Sequence, residues 1–505
     1  MKKIALLSVS DKTGIVDLAE KLIGFGYEIL ATGGTAKLIG DAGIKYTGVE
    51  EFASFPEIFS GRVKTLQPKI FGGILMRRND KSDQKEAEIN NISPIDIVCV
   101  NLYPFPKVVK RSDISLDEKI ENIDIGGPSL IRASAKNYKF VSVLTNPNQY
   151  DEFISELSQG EIKLETREKL ASIAFAHTSF YDTIIADYFE KEFKLNKSAI
   201  RINIPIKNAL RYGENPHQKA FIAGDFYDYF DILHGKELSY NNIIDLMAAV
   251  DLVNELDPIS CAIIKHTNAA GAATGANVGE AYDKALSGDP VSAFGGIVAF
   301  NTQVDVATAI KLNDIFLEII VAPGFDDEAL EILKKKKNRR LLKSLKNDDE
   351  NKYLIKNIPG GIIAQTMDDS KSSDLKLEVV TELKPDEKQL EDLKFAWTIC
   401  KHTKSNAIIY VKDKKLLGAG AGQMSRLDSS KIAVMKAVEH KHDLTGAVAA
   451  SDAFFPFADG LLAIADSGIK AIIQPGGSVR DDEVIAAAND KKMSMIFTGI
   501  RNFKH

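Results

Sequence analysis

The first 150 residues alternate short, uninterrupted apolar runs with stretches in which apolar residues recur every three or four positions. Residues 4–7 form such a run, and apolar residues at positions 15, 18, 19, 22 and 23 then follow a helical spacing. Residues 27–31 and 95–102 are two further predicted strands, which are mostly apolar. Uninterrupted runs are typical of parallel strands buried on both faces, and the stripes between them are typical of helices that cover the sheet. The sequence therefore predicts an open α/β sheet, a fold that binds ligands at the carboxyl ends of its strands.

Length and charge limit the remaining possibilities. A chain of 505 residues is too long for one compact domain. Its 64 basic and 70 acidic residues give a formal net charge of −6, so it has no overall attraction to nucleic acid or to an anionic membrane. The three cysteines form no CxxC pair, which argues against a zinc cluster or a disulfide framework and fits the cytoplasm. The apolar amino-terminal run is too short for a signal peptide, and no run reaches the roughly 20 residues that span a bilayer.

The pattern becomes helical over residues 152–193 and is followed by a charged segment that ends in proline, which predicts domains of 1–195 and 196–505. The second domain contains three internal matches in the same order. Residues 265–269 resemble 401–407, residues 292–296 resemble 451–455, and residues 321–324 resemble 473–476. Three ordered matches predict two similar α/β halves, at about 196–365 and 366–505.

Two polar loops follow the first two predicted strands. The first loop contains Ser8, Ser10 and Lys12, and the second contains Thr32, Gly33, Gly34 and Thr35. Glycine lets the backbone approach a ligand closely, and hydroxyls and helix N–H groups donate to phosphate oxygens. Each loop alone could equally be a helix cap. Together, at the ends of adjacent strands, they favour a phosphate site.

Further cations follow in the same predicted domain. Arg62 and Lys64 would point to the same side if their segment is extended, although a solvated strand edge is the alternative interpretation. Residues 125–150 contain no Asp or Glu. Within them the segment Gly126-Gly127-Pro128-Ser129 is predicted to begin a helix, with Pro128 at the first helical position. Arg132 and Lys136 are then one turn apart on one face, which favours an anion site over a solvent-exposed face.

Two small groups could perform acid–base chemistry. Tyr103 at a strand end and Asp124 before the glycine pair could form a proton-transfer set with Lys136, because a lysine among cations has a lowered pKa. In the second domain Lys265 and His266 follow an apolar strand and could supply an oxyanion donor and a base. A structural histidine is the alternative. The second copy, Lys401 and His402, is interpreted in the same way.

These residues lie in blocks that resemble a known family over essentially the whole chain. The blocks of the first domain are Ser8-Val9-Ser10-Asp11-Lys12-Thr13-Gly14, Thr32-Gly33-Gly34-Thr35, Gly61-Arg62-Val63-Lys64-Thr65-Leu66, Asn101-Leu102-Tyr103-Pro104-Phe105, Asp124-Ile125-Gly126-Gly127 and Arg132-Ala133-Ser134-Ala135-Lys136-Asn137. Those of the second are Arg211-Tyr212-Gly213-Glu214-Asn215-Pro216-His217-Gln218, Lys265-His266-Thr267-Asn268, Gly420-Ala421-Gly422-Gln423, Ser451-Asp452-Ala453-Phe454-Phe455-Pro456-Phe457 and Arg501-Asn502-Phe503-Lys504-His505. The chain resembles the bifunctional enzymes of purine biosynthesis that join aminoimidazole-carboxamide ribonucleotide (AICAR) formyltransferase to inosine monophosphate (IMP) cyclohydrolase.

The resemblance implies a methylglyoxal-synthase-like first domain and a second domain of two cytidine-deaminase-like halves. The zinc motif of the deaminases is missing from this sequence, so deamination is not expected. The resemblance also implies 10-formyltetrahydrofolate as cosubstrate, no catalytic metal, and a homodimer with formyltransferase sites between subunits; it leaves a structural potassium ion open. Glu318 stands where members of the family have Asp, and the segment after Gly324 is shorter than in some members.

The resemblance assigns roles residue by residue. His266 is the base of formyl transfer, Lys265 stabilises the oxyanion and Asn406 orients the formyl group, whereas Lys136 moves a proton in ring closure beside Tyr103 and Asp124. Ligand contacts in the first domain fall to Ser8, Ser10, Lys12, Thr32, Gly33, Gly34, Thr35, Arg62, Lys64, Thr65, Asn101, Ile125 and Gly126. In the second domain they fall to Arg211, Tyr212, Gly295, Glu318, Arg426 and Arg501, with Phe454, Asp459, Ser478 and Val479 on the folate side. The competing hypotheses are a nucleotide-binding regulatory protein and a catalytically inactive homologue.

Overall fold

The computed structural model describes residues 2–197, 199–345 and 353–505. The chain forms two compact units, Met1–Ile204 and Pro205–His505. In these described ranges, no helix combines the length and the apolar character needed to cross a bilayer.

The first unit is a parallel sheet covered by helices. Its elements are β1 (Lys3–Val9), α1 (Ile15–Gly24), β2 (Tyr27–Ala31), α2 (Gly33–Asp41), β3 (Thr47–Gly48), α3 (Val49–Ala53), α4 (Pro68–Leu75), α5 (Lys81–Ile89), β4 (Ile97–Asn101), α6 (Phe105–Val108), α7 (Leu116–Glu121), α8 (Gly126–Lys136), β5 (Ser142–Leu144), α9 (Tyr150–Leu157) and α10 (Leu164–Glu192). The strand order is β3-β2-β1-β4-β5, and every neighbouring pair is parallel. The predicted open α/β sheet is therefore confirmed. The apolar runs lie in β1, β2 and β4, where both faces are covered and the side chains are buried.

Two local predictions in this unit are wrong. Pro128 is the third residue of α8 rather than its first, since the helix begins at Gly126. Its missing N–H costs nothing there, because the first N–H groups of a helix have no partner within the helix. The segment of Arg62 and Lys64 is not an extended strand: it follows a tight turn at Ser60 and Gly61, and Arg62 has helical backbone angles.

The second unit contains a twelve-stranded mixed sheet and two small hairpins. Its elements are β6 (Ile206–Leu210), β7 (Ala220–Ala223), β8 (Phe230–His234), α11 (Tyr240–Glu255), β9 (Ser260–Lys265), β10 (Asn268–Thr274), α12 (Val278–Gly288), α13 (Pro290–Ala293), β11 (Ile297–Phe300), α14 (Val306–Leu312), β12 (Ile319–Ala322), α15 (Asp327–Lys334), β13 (Arg340–Ser344), β14 (Tyr353–Ile358), β15 (Gly361–Thr366), β16 (Glu378–Val379), α16 (Glu387–Lys401), β17 (Ile408–Lys412), β18 (Lys415–Gly420), α17 (Arg426–Glu439), β19 (Val448–Ser451), α18 (Ala458–Asp466), β20 (Ala471–Gln474), α19 (Asp481–Asp490) and β21 (Ser494–Phe497). The large sheet has the order β16-β21-β20-β19-β17-β18-β10-β9-β11-β12-β13-β8.

This sheet has the same arrangement on either side of its centre. Each side has an antiparallel hairpin, β9–β10 or β17–β18, and three further strands that are parallel to one another. An antiparallel strand, β8 or β16, closes each outer edge. The helix before each hairpin, α11 or α16, packs against its own half, and the two halves meet where β10 pairs with β18.

The internal sequence matches do not all mark equivalent positions of the two halves. Lys265 ends strand β9, whereas Lys401 ends helix α16, which precedes β17. By position in the sheet, the counterpart of Lys265 is Lys412 at the end of β17. The match between residues 292–296 and 451–455 also falls on different elements, since the first precedes β11 and the second ends β19. The third match is equivalent, because residues 321–324 and 473–476 span the carboxyl ends of β12 and β20.

Candidate active sites

Three loops of the first unit meet at the carboxyl edge of its parallel sheet. Ser8 Oγ lies 2.8 Å from Thr32 Oγ1, which joins the ends of β1 and β2. The Val9 N–H donates to Thr35 Oγ1 at 3.0 Å. Asn101, the last residue of β4, accepts the backbone N–H of Ser10 on its side-chain oxygen at 2.6 Å. The predicted phosphate loops are therefore one connected surface.

We call residues 32–35 the phosphate loop. Two lysines lie against the glycine pair of this loop. A Cβ atom on Gly33 would lie 2.9 Å from Lys64 Nζ, and one on Gly34 would lie 3.4 Å from Lys12 Cε. Lys12 donates to the Val9 carbonyl at 2.7 Å, and burial lowers the pKa of its ammonium. Two ammonium groups thus lie beside the amino terminus of α2, whose free N–H groups also favour an anion.

The side chains of Arg62 and Lys64 point to different parts of the first unit. Lys64 reaches the phosphate loop, where Glu57 Oε2 lies 2.6 Å from its ammonium. Arg62 is largely exposed and pairs with Glu121 on α7. A phosphate that binds Lys64 must therefore compete with the carboxylate of Glu57.

Asp124 lies at the start of α8 in a partly buried pocket. Its carboxylate accepts the Gly127 N–H at 2.7 Å and also a backbone N–H from Tyr103. Burial raises the pKa of Asp124, and these two N–H groups partly offset that rise. The Tyr181 hydroxyl on α10 accepts the Asp124 backbone N–H at 2.9 Å. Tyr103 and Asp124 are thus brought together, as the sequence predicts.

The same pocket is closed by Thr65. A Cβ atom on Gly126 would lie 2.7 Å from Thr65 Oγ1, so the hydroxyl lies directly against the first turn of α8. Ile125 precedes this turn and is exposed. In this turn the Gly127 N–H donates to the Asp124 carboxylate, the Ser129 N–H donates to the Ile125 carbonyl, and Pro128 has no N–H, so the Gly126 N–H is the donor left for a ligand.

Lys136 is not part of this pocket within one chain. It is the last residue of α8, and a helix rises about 1.5 Å per residue, so about 15 Å separates it from Gly126 along the axis. That distance is longer than an extended lysine side chain. Lys136 and Arg132 instead line a cavity of about 730 Å³ with Phe71, Phe175 and Glu168. The two cations share a face as predicted, but the face contains an acidic residue contributed by α10.

In the second unit, Lys265 and His266 end strand β9 and begin a two-residue turn to β10. The Lys265 ammonium donates to the carbonyl oxygens of Phe294 and Gly295, at 3.0 and 3.1 Å. Glu318, at the start of the neighbouring strand, pairs with Arg340 at 2.8 Å. The His266 side chain is exposed beside a cleft of about 280 Å³, which lies between the β10 and β18 edges of the two halves.

The loop of Asn406 lies next to this turn. Asn268 Oδ1 accepts the Lys404 N–H at 3.1 Å, which joins the turn to the second half. The Asn406 amide nitrogen donates to the Gln423 carbonyl at 2.9 Å. Ser405 Oγ accepts the Lys504 N–H at 3.0 Å, so the carboxyl-terminal tail packs on the same loop.

The tail brings two arginines together. Arg426 donates to the fully buried carboxylate of Asp452 at 3.0 Å, and its guanidinium lies 5.7 Å from the Phe503 ring. Arg501 lies 4.3 Å from the same ring. The fold therefore places two predicted ligand contacts beside one aromatic residue.

Arg211 and Tyr212 form a separate exposed pair. The Arg211 guanidinium lies 4.7 Å from the Tyr212 ring and donates to its hydroxyl at 2.9 Å. The neighbouring Glu214 carbonyl accepts from Asn241 at 3.2 Å. Asn241 is one turn before Asp245 on α11, and Asp245 holds the His266 turn, so both loops rest on one helix.

The four residues predicted on the folate side lie on or next to two neighbouring loops, after β19 and after β20. The first loop carries Phe454 and leads into α18, in whose first turn Asp459 lies, and the second carries Ser478 and Val479. Arg480 joins the loops, because its guanidinium lies 4.6 Å from the ring of Phe457. Val479 is fully exposed.

The second Lys-His pair has a different environment from the first. Lys401 is buried, and its ammonium lies 3.0 Å from a Glu255 carboxylate oxygen. The same oxygen lies 3.1 Å from His402 Nε2. The equal interpretation of the two pairs is therefore wrong: Lys401 and His402 join α16 to α11 inside the unit, whereas Lys265 and His266 lie at a cleft.

Comparisons with known proteins identify the family of this chain. A family model described as "MGS-like domain" matches residues 14–129, and one described as "AICARFT/IMPCHase bienzyme" matches residues 134–436. A protein of Persephonella marina named "Bifunctional purine biosynthesis protein PurH" is 50% identical and is covered over its full length, as is this chain. The chain belongs to the AICARFT/IMPCHase bienzyme family. Proteins of the same name from Chlorobium phaeobacteroides and Bacillus cereus are 48% and 46% identical, each over 100% of this chain and 99% or 100% of their own.

For this member of the bienzyme family, sequence reasoning missed the residues that hold the functional groups in place. Glu57 pairs with Lys64, Tyr181 fixes Asp124, Asp245 fixes the His266 turn and Asp452 fixes Arg426. Tyr181 lies in the segment that the sequence predicts only as helical, and Glu57 and Asp245 belong to none of the quoted blocks. Asp452 lies in the block 451–457, but that block gave no indication of its contact with Arg426. Across the ranges 2–197, 199–345 and 353–505, no group of three His, Cys, Asp or Glu side chains is arranged to hold a metal ion.

Proposed function

We propose that this chain catalyses the last two steps of IMP synthesis. It transfers a formyl group from 10-formyltetrahydrofolate to the amine of AICAR, and then closes the ring of the formylated product with loss of water. Full-length identity to the bifunctional purine biosynthesis proteins supports both activities. The observation that carries the proposal is that the residues assigned to the two reactions divide between two separate compact units.

Formyl transfer belongs to the second unit. The AICAR amine is a poor nucleophile, because its lone pair is delocalised into the ring, so it must lose a proton as it attacks the formyl carbon. His266 takes that proton, and a positioned base of this kind contributes about 10²–10⁴-fold. Lys265 stabilises the oxyanion that forms, and the C–N bond to the folate then breaks. The ammonium of Lys265 already lies among backbone carbonyls at the cleft, which supports this role.

The remaining predicted contacts divide between the two substrates. Arg211, Tyr212 and Arg501 hold the nucleotide, and Asn406 orients the formyl group. Glu318 and Gly295 line the nucleotide side near Lys265, and Arg426 joins the two substrates. The loops after β19 and β20 bind the folate. The duplicated arrangement of the sheet supports two cytidine-deaminase-like halves.

Ring closure belongs to the first unit. The carboxamide nitrogen attacks the formyl carbon of the same molecule, so holding the two groups close supplies much of the acceleration. The phosphate loop with Lys12 and Lys64 holds the phosphate end of the nucleotide. The Gly126 N–H at the start of α8 stabilises the developing oxyanion, and Asp124 with Tyr103 moves the protons. The raised pKa of Asp124 suits a group that must both release and accept a proton.

Lys136 takes part in ring closure only if another copy of the chain supplies it. Within one chain about 15 Å of helix α8 separates it from the Asp124 pocket. The apolar cavity beside Lys136, lined by Phe71, Leu75 and Phe175, is a surface that a second copy could cover. We therefore propose a cytoplasmic homodimer in which Lys136 of one subunit completes the pocket of the other. We also propose that small molecules are its ligands, and that it binds neither nucleic acid nor membrane.

The direct test is the formation of IMP by the purified chain from AICAR and 10-formyltetrahydrofolate, followed by chromatography of the nucleotides. We expect IMP to accumulate without any added enzyme. Supplying the formylated nucleotide instead tests the first unit alone, since no folate is then needed. A chain that binds these nucleotides but forms neither product would be a regulatory protein or an inactive homologue.

A further inference from the structure

The two hairpins of the twelve-stranded sheet share one local arrangement. In the first hairpin, the carboxylate of Asp245 accepts the backbone N–H groups of His266 and Thr267, at 3.3 and 2.8 Å. In the second, the carboxylate of Asp392 accepts those of Asp413 and Lys414, at 2.9 and 2.7 Å. Asp245 and Asp392 are each the sixth residue of the helix before the hairpin, α11 or α16. The arrangement is thus a property of the duplicated architecture.

The turns need such a partner. Both are two-residue connections in which both residues have positive φ, 50° and 64° at His266 and Thr267, and 56° and 50° at Asp413 and Lys414. Turns of this kind favour Asn-Gly, because most side chains are strained at positive φ. The N–H groups of the two turn residues also point away from the strand ladder. A carboxylate that accepts both of them stabilises a turn that the local sequence disfavours.

In the first hairpin the strained turn carries a functional side chain. His266 is held on its N–H side by Asp245, and its carbonyl accepts from the Asn268 side chain at 3.1 Å. The direction of the imidazole into the cleft therefore depends on these backbone contacts. In the second hairpin Asp413 pairs with Lys388 at the start of α16. That turn contributes none of the residues assigned to either reaction.

We propose that Asp245 is a positioning residue for formyl transfer, which acts by holding the backbone of His266. The proposal rests on the proposed role of His266 as base. A displacement of about 1 Å in a catalytic group can cost about 10²-fold in rate. Substrate binding depends on other loops, so the loss appears in kcat rather than in KM.

The second hairpin supplies a matched control. Asp245→Ala and Asp392→Ala each remove one carboxylate that accepts two turn N–H groups, and Asp392 is the more deeply buried of the two. We expect both variants to lose thermal stability. Only Asp245→Ala should lower kcat for formyl transfer, by about 10²-fold, with KM for both substrates unchanged. Asp245→Asn keeps one oxygen acceptor and should fall between wild type and Asp245→Ala.

Ring closure in the first unit should proceed at the wild-type rate in all three variants, and a cooperative thermal unfolding transition of the second unit, present in all three, shows that each is folded. The proposal is overturned if Asp245→Ala loses no more kcat than Asp392→Ala, or if its loss lies in KM. His266→Ala measured alongside separates the two hypotheses. Retained formylation in that variant removes the proposed base, whereas loss there with full activity in Asp245→Ala removes only the positioning role.

Discussion

The two units build their sites in different ways. In the first unit, the phosphate loop, Lys12, Asn101 and the Asp124 pocket lie at adjacent ends of parallel strands. In the second unit, the candidate site uses residues that are as far apart in sequence as Arg211 and Arg501. The loop of Arg211 contacts helix α11, and Arg501 belongs to the carboxyl-terminal tail. A parallel sheet brings successive loops to one edge, so neighbouring motifs in sequence become neighbours in space. In the duplicated sheet of the second unit, residues that meet in space need not be neighbours in sequence.

The charges differ in a similar way. Lys64 of the first unit is held by Glu57, a partly exposed acid that a ligand can displace. Arg426 of the second unit is held by Asp452, which is fully buried and cannot move into solvent. In the first site, a ligand therefore competes with a carboxylate for the lysine. In the second site, the buried carboxylate holds the arginine in a fixed position. The following experiments test this contrast.

The largest expected effect is on the second unit. His266→Ala should lower formyl transfer by about 10²–10⁴-fold, because it removes the base, and should leave ring closure of supplied formylated nucleotide unchanged. Rates of the two reactions, measured separately on one preparation, check this. His217→Ala, which alters another exposed histidine of the same unit, is the control. Loss of both reactions in a folded protein would contradict independent sites.

Next in size is the effect of Lys136. Lys136→Ala should abolish ring closure and spare formyl transfer, as should Asp124→Asn. If Lys136 acts in the partner's pocket, mixing the two inactive variants under conditions of subunit exchange restores about a quarter of the wild-type rate, because half of the dimers are hybrid and each hybrid has one intact site. No recovery despite proven exchange would place both residues in one chain.

A smaller effect is expected at Glu57. Glu57→Gln removes the carboxylate that competes for Lys64, and partly exposed ion pairs of this kind contribute up to about 1 kcal/mol. The Kd for IMP should therefore fall by about two- to fivefold. Inosine lacks the phosphate, and its affinity should not change. Glu152→Gln, which breaks the exposed pair with Lys169, is the matched control. Equal tightening of inosine would exclude competition at the phosphate.

The smallest effect concerns pH. Burial lowers the pKa of Lys12, so in the free protein its ammonium loses a proton at lower pH than an exposed lysine. A bound phosphate favours the charged form and raises that pKa again, so IMP affinity weakens as pH rises through the lowered pKa of Lys12 in the free protein. Lys12→Arg keeps its charge and should flatten this dependence. Titration of IMP against both proteins across alkaline pH measures the difference, and parallel curves would contradict the assignment.

Local patterns predicted much of the first unit and part of the second. The alternation of apolar runs and stripes predicted the parallel sheet, and the two polar loops predicted a surface that the Ser8–Thr32 contact joins. The acid-free segment predicted a basic face, but it could not reveal that α10 places Glu168 opposite Lys136. The Lys-His repeat suggested equivalent positions that lie on a strand end in one half and on a helix in the other. Short matches of letters carry no information about which element they occupy.

The amino-acid order by itself determined which segments form buried strands and helices, because burial on one or both faces leaves a periodic record along the chain. It also determined which residue types are available for phosphate binding and proton transfer. Only the tertiary structure decided which of them meet: that Lys64 reaches the phosphate loop while Arg62 does not, that Lys136 lies a helix length from Asp124, and that Asp245 holds the His266 turn. These outcomes depend on contacts between residues far apart in the chain, and such contacts leave no local pattern.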